Sequence, residues 1–140
     1  MPTFDDAVTS PAPVEEVWKL LYDPTRFPDW WAGIGSVRGP AGEHGDYTMY
    51  PDGYPDFPMP QALRTTSGDR HVTVSCLVSD LVFAWRLEPL EDGTRIAVHV
   101  EIPETEAHRL DGQRELLSAS LRSLAALAGA GEASPRRGGL

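Results

Sequence analysis

The order of elements in this 140-residue sequence predicts an α+β fold: a curved, seven-stranded antiparallel sheet around one long C-terminal helix. Three observations carry the prediction. A helical apolar period follows a short first strand. Between Ile34 and Ile102, short segments alternate apolar and polar residues and are separated by turn signals. From Glu104 to Ala128 the chain then carries one helical stripe of Leu110, Leu117, Leu121, Leu124 and Ala128.

Taken in order, "TFDDAVTSPA" is short and β-leaning, which suits a first strand. In "SPAPVEEVWKLLYDPTRF", Val14, Val17, Trp18, Leu21 and Tyr22 share one helical face, with Glu15, Glu16 and Lys19 opposite. Acidic residues in the first turn suit the positive end of the helix dipole. Asp23-Pro24 stops this helix, and Asp23 can cap the next, "PTRFPDWWAG", which ends at Gly33. The strand candidates are "IGSVRGP", "GDYTMY", "QALRTTSG", "HVTVSCLV", "LVFAWRLEPL" and "TRIAVHVEIP". Short turns at Ser67-Gly68-Asp69, Ser79-Asp80 and Asp92-Gly93 join antiparallel neighbours, so these segments form a meander. Gly112 is a weak point near the start of the long helix, and residues 129–140 read as a flexible tail. The chain reads as one domain over residues 1–128.

Consecutive turns of a meander alternate between the two ends of the sheet. "YPDGYPDFPMP", the Ser79-Asp80 turn and "PETEA" therefore fall at one end; "GPAGEHG" and the tight turns fall at the other. The proline stretch is thus no interdomain linker. Its prolines lower the entropy cost of ordering it. Tyr54, Phe57 and Met59 give it apolar surface. Two readings stand: an ordered lid over the open end of a cavity, or a solvated loop whose aromatics pack locally.

Bulk composition excludes several functions. The formal net charge of -9 repels phosphate backbones, so neither nucleic acid nor an anionic membrane is an expected partner. The single cysteine, Cys76, precludes an internal disulfide and suits a reducing compartment. "MPTFDDAVTS" lacks the basic and apolar regions of a signal peptide, and no apolar run approaches the roughly 20 residues of a membrane span. A cytoplasmic location is expected. The abundance of Ala, Gly, Pro and Arg suits a GC-rich bacterial genome.

"SPAPVEEVWKLLYDPTRFPDWW" resembles the opening motif of the SRPBCC (START-like) superfamily, and "EPLEDGTRIAVHVEI" resembles its last hairpin. The resemblance covers residues 3 to 128, and the polyketide cyclase/dehydrase-like branch is the most similar. It implies a helix-grip fold enclosing a hydrophobic cavity. It also implies binding of lipids, hormones or polyketides, cyclisation or dehydration in some members, and self-protection against a reactive natural product in others.

Strand alternation sorts the side chains. Ile96, Val98, Val100 and Ile102 face in, as do Phe83, Trp85 and Leu87, and Val72, Val74, Cys76 and Val78. His99 and Glu101 share the outer face. Tyr47 and Met49 share a face opposite Thr48 and Tyr50, and Leu63 and Thr65 are preferred inside over Arg64, with the register open in both strands. Trp30 and Trp31 follow the second helix, which closes one side of the cavity in the fold the resemblance implies; one reads as core and the other as lining the cavity or stacking on a planar ligand. Arg114 falls on or beside the stripe of Leu117 and Leu121. It is either a rim arginine with its stem on apolar surface or a donor to a ligand.

The expected ligand contacts are therefore Trp30, Trp31, Tyr47, Met49, Tyr54, Phe57, Leu63, Val74, Phe83, Trp85, Val98, Arg114, Leu117 and Leu121. The expected partner is a hydrophobic, aromatic or polycyclic small molecule, bound by a monomer or homodimer. Tyr47 and Arg114 are the weak candidates for catalysis, since a tyrosine can donate to a carbonyl and promote enolisation. Cys76 reads as a small buried hydrophobe. His44, His71, His99 and His108 lack metal-ligand spacing, and no cofactor fingerprint is present, so neither metal nor cofactor is expected. Three functions follow: a small-molecule binder, a polyketide cyclase or dehydratase, and a self-resistance protein that sequesters a toxic product or is modified by it.

Overall fold

The computed structural model describes residues 2–39, 45–66, 68 and 70–138, with residues 131–138 described by their backbone. Seven antiparallel strands form one curved sheet: β1 (Thr3–Ser10), β2 (Ile34–Arg38), β3 (Gly45–Pro51), β4 (Met59–Thr66), β5 (His71–Cys76), β6 (Val82–Leu90) and β7 (Gly93–Glu101). Their order is β1-β7-β6-β5-β4-β3-β2, the expected meander with the first strand returned to the edge of the last. Most of "GPAGEHG", including His44, and two residues of the expected turn, Ser67 and Asp69, lie outside the described residues.

Helix α1 (Val14–Leu21) buries Val14, Val17, Leu20 and Leu21, the apolar side of its period. Asp23 caps the next turn as its sequence position suggests: its carboxylate accepts from the Thr25 N–H at 3.0 Å and from the Thr25 hydroxyl at 2.7 Å. That segment, Pro24–Asp29, is a 3₁₀ turn containing Pro28, and it ends at Asp29 instead of reaching Gly33. The shorter turn leaves Trp30 and Trp31 in the connection to β2, where both are buried.

The C-terminal segment departs from expectation at both ends. Glu104–Arg109, following Pro103, is also a 3₁₀ turn, and α-helix begins only at Leu110. Helix α2 (Leu110–Gly138) then runs past Ala128, where a flexible tail is expected. Glycine weakens a helix by about 1 kcal/mol but does not forbid one. Gly129 is half-buried beside Pro11, where an added Cβ would make ordinary contact at 3.5 Å. Of the predicted stripe, Leu117, Leu121, Leu124 and Ala128 are buried, together with Ala125, and Leu110 is partly buried.

The two ambiguous registers resolve toward the apolar face. Tyr47 and Leu63 are buried, while Arg64 is exposed and pairs with Asp46 at 3.4 Å. A one-residue slip would have buried that guanidinium. The β6–β7 turn needs Gly93. Its φ is +153°, and a Cβ there would stand 2.0 Å from the Ser10 carbonyl oxygen, which no side chain can survive.

Candidate functional site

The loops joining β3 to β4, β5 to β6 and β7 to α2 gather at one end of the sheet, as the meander requires. Between them lies a cavity of about 180 Å³. Its walls are Trp31, Ala32 and Gly33 before β2, Ile34 at its start, Tyr47, Met49 and Pro51 from β3, and Met59 and Gln61 from β4. Val74 and Cys76 from β5, Ser79 and Leu81 from the β5–β6 turn, and Phe83 from β6 continue the lining. Arg109, Gln113 and Leu116 close it from the helix side. Gly33, at φ +91°, lets the chain pass close to α2: a Cβ there would stand 3.0 Å from Leu116 Cδ1.

An aromatic cluster sets the inner limit. Trp31 lies edge-on to Phe83 at 5.2 Å and stacks on Trp30 at 5.4 Å. Trp30 meets Trp85 edge-on at 5.1 Å and donates its indole N–H to the Leu20 carbonyl at 2.9 Å. Trp30, Leu63, Trp85, Val98, Leu117 and Leu121 are all buried, but they belong to the packed core and do not line the cavity. Of the expected contacts, Trp31, Tyr47, Met49, Val74 and Phe83 come together in its wall.

Arg114 does not reach the cavity. It is exposed, with its guanidinium over the Phe4 ring at 5.9 Å, on the side of α2 that packs on β1. Arg109, Gln113 and Leu116, spaced four and then three residues apart, form the helical row that faces the cavity instead. Arg114 is one residue beyond Gln113 and therefore points about 100° away. Arg109 forms an ion pair with Glu106 at the cavity edge.

The proline stretch stands at the mouth. Its backbone is ordered by hydrogen bonds from Asp52 N–H to Gly33 O, Tyr54 N–H to Pro51 O and Phe57 N–H to Tyr54 O. Pro51 and Met59, at its two ends, line the cavity. Tyr54 and Phe57 are 66% and 55% exposed, so the expected seating of their rings on the cavity is not realised. With Val78, Glu106 and Arg109 they border an outer groove of about 350 Å³, which shares Pro51, Met59, Ser79 and Arg109 with the inner cavity.

The polar groups are few. Burial pushes the Tyr47 phenol far above its ordinary value of about 10, so it remains a neutral hydroxyl donor. Burial also raises the Cys76 thiol, but donors from Ser79, Val78 and Gln61 outweigh that effect and bring it below the ordinary thiol value. Gln61 is buried and donates from Nε2 to the Met59 carbonyl at 3.2 Å. The Gln113 side-chain oxygen is buried without a hydrogen-bond partner. Gln61 could have been found from the sequence, as a polar residue in the inward register of Leu63. Gln113 and Arg109 could not, because the 3₁₀ turn sets which helical row faces inward. Among the described residues, no group of three or more His, Cys, Asp or Glu is placed to hold a metal ion, and no helix is long and apolar enough to cross a membrane.

A family model described as polyketide cyclase/dehydrase and lipid transport matches residues 1–129. No curated protein matches the sequence. Solved structures share the fold at low identity. The Zhui aromatase/cyclase from Streptomyces sp. R1128 superposes with a TM-score of 0.77 at 15% identity, covering 92% of this chain and 94% of that one. A protein from Nitrosomonas europaea gives 0.74 at 18%, covering 94% and 96%. The di-domain ARO/CYC BexL from the BE-7585A biosynthetic pathway gives 0.69 at 15%, covering 89% of this chain and 45% of that one.

Proposed function

The chain belongs to the polyketide cyclase/dehydrase and lipid transport family, and on that premise we propose that it binds a hydrophobic, aromatic small molecule in the cavity at the loop end of its sheet. The observation that carries this reading is the cavity itself. It lies between sheet and helix, is walled mainly by Trp31, Tyr47, Met49, Val74, Leu81 and Phe83, and opens toward the proline loop. Concave apolar sites with a few placed polar groups are the usual form of a small-molecule pocket. Trp31 and Phe83 offer ring faces and edges to a planar ligand. We place this activity in the cytoplasm of a bacterial cell, with the small molecule as partner and no nucleic acid or membrane involved.

Catalysis is the second reading, and Tyr47 favours it. A neutral hydroxyl held in a desolvated wall can donate to a ligand carbonyl and stabilise the enol form. In an aldol cyclisation the enol carbon attacks a second carbonyl of the same chain, and loss of water completes the dehydration. The protein would then contribute mainly by holding the chain folded. Two of the structural neighbours are aromatase/cyclases.

Paired substitutions test both readings. For a binder, Phe83→Ala lowers affinity for aromatic ligands by tenfold or more and Tyr47→Phe has a small effect. For a cyclase, Tyr47→Phe cuts turnover while leaving affinity largely intact. Unchanged ligand affinity in Phe83→Ala would argue against the cavity as the site.

A further inference from the structure

Apolar side chains scattered singly over a surface need no explanation, whereas a cluster of them marks something that covers it. Among the described residues the exposed large hydrophobics are Tyr54, Phe57, Leu77, Val78 and Leu90. Four of these five stand on the β3–β4 and β5–β6 connections at the mouth of the cavity. The fifth, Leu90, ends β6 at the opposite end of the sheet. Tyr54, Phe57 and Val78 border the outer groove of about 350 Å³. The backbone hydrogen bonds at Tyr54 and Phe57 hold this stretch of chain in place while the two rings stay uncovered.

This groove is continuous with the cavity. Pro51, Met59, Ser79 and Arg109 line both, so a molecule seated in the chamber can pass outward between them. The two compartments offer different surfaces. Inside, Trp31 and Phe83 stand edge-on at 5.2 Å and present rings to a ring. Outside, the groove presents open apolar surface on which a chain can lie. Charge narrows the occupant further. Arg109 is the charged residue of the chamber lining, and Arg109 and Glu106 are those of the groove. These two form an ion pair with each other, which leaves the passage without net charge. A charged group brought there would lose water without gaining an unpaired partner.

We propose that the outer groove is a second subsite for the same ligand: an aromatic ring in the chamber carries an uncharged, flexible apolar chain that leaves between Met59 and Arg109 and lies on Tyr54, Phe57 and Val78. This rests on the reading of the cavity as a ligand site and deepens it, since it gives the outer half of the ligand a chemistry and a place. The chamber selects the ring, and Tyr54 and Phe57 select the chain. A fully buried methylene raises affinity about fourfold, so a groove open on one side should return about twofold for each.

Isothermal titration calorimetry with the phenyl ketones acetophenone, butyrophenone, hexanophenone and octanophenone tests it on the full chain. In the parent protein, affinity should rise with each added methylene, so that octanophenone binds about thirtyfold or more tightly than acetophenone. Tyr54 and Phe57 are 66% and 55% exposed, so the fold does not depend on their rings. In the double variant Tyr54→Ser, Phe57→Ser, the ratio between the two ketones should fall to about fivefold or less. Phe83→Leu, in the chamber, should weaken both ketones together and keep the ratio. 6-Phenylhexanoate, whose carboxylate would fall in the groove, should bind at least about tenfold more weakly than hexanophenone. A ratio that is unchanged in the double variant, or no gain with chain length in the parent, overturns the second subsite and leaves the cavity standing. Equal or tighter binding of the carboxylate overturns the requirement for an uncharged chain. A Phe83→Leu variant that binds both ketones as the parent does overturns the placement of the ring. Failure of every ketone to bind, together with failure of a long-chain fatty acid, overturns the ligand site itself.

Discussion

The indole of Trp31 meets the indole of Trp85 at 5.1 Å between ring centroids, tilted by 70°. The pair divides the interior. Val98, Leu117 and Leu121, like Trp85, are buried core outside the cavity lining, whereas Trp31 lines the cavity. Trp31→Ala removes the partition. It should destabilise the protein by about 3–5 kcal/mol, measured by urea denaturation. The enlarged chamber should admit bulkier aromatic ligands than the parent. A loss under 1 kcal/mol would mean that Trp31 closes nothing.

Ser120 ties that partition to the helix. Its hydroxyl accepts from the Ala32 N–H at 2.9 Å and donates to the Leu116 carbonyl at 2.7 Å. Ser120→Ala leaves the Ala32 amide without its acceptor. A loss of about 1–3 kcal/mol is expected, together with faster hydrogen exchange at Ala32. Unchanged exchange there would show that the bond does not hold the turn.

Much of this arrangement is legible in the sequence, and the parts that are not share a cause. Period-two alternation separates inside from outside for Phe83, Trp85, Val98 and Ile96, all buried. It says nothing about depth along the sheet. Trp85 and Phe83 are one alternation apart, yet only Phe83 lines the cavity. On the helix, the leucine stripe is plain because it repeats, whereas Arg114 and Arg109 exchange roles through one 3₁₀ turn after Pro103. Prolines mark the loop at the mouth, but they do not say whether Tyr54 and Phe57 turn inward.

Tyr47 should remain un-ionised well above the pH at which an ordinary phenol titrates, about 10, because burial disfavours its phenolate. In a spectrophotometric titration of the folded protein, Tyr47 should therefore stay protonated until alkaline unfolding. Tyr47→Phe should delete that late step. A Tyr47 that titrates near 10 would place water against its hydroxyl.

On the outer face, His99 Nδ1 stands 2.8 Å from Asp5 Oδ1 and Nε2 stands 3.4 Å from Glu101 Oε2. The hydrogen bond to Asp5, aided by both carboxylates, raises the imidazole above its usual value of about 6.5. The folded state thus holds the proton more tightly than the unfolded one. The stabilisation is fully present below the unfolded value and is lost as pH rises through the raised folded value. It is small, because the pair is open to solvent. NMR titration should place His99 above an ordinary histidine, and Asp5→Asn should bring it down. The difference in thermal stability between the two proteins should shrink as pH rises from about 6 through the raised value. A difference that grows with pH would contradict this sign.

Whether the cavity holds a molecule is the central question, and native mass spectrometry of the protein purified from its own source answers it most directly. The expected result is a mass above that of the bare chain, with a small hydrophobic aromatic compound released on denaturation. Bare protein, together with a flat thermal-shift response to a panel of aromatic compounds and fatty acids, would contradict a ligand-binding chamber and leave the loop end of the sheet as ordinary packing.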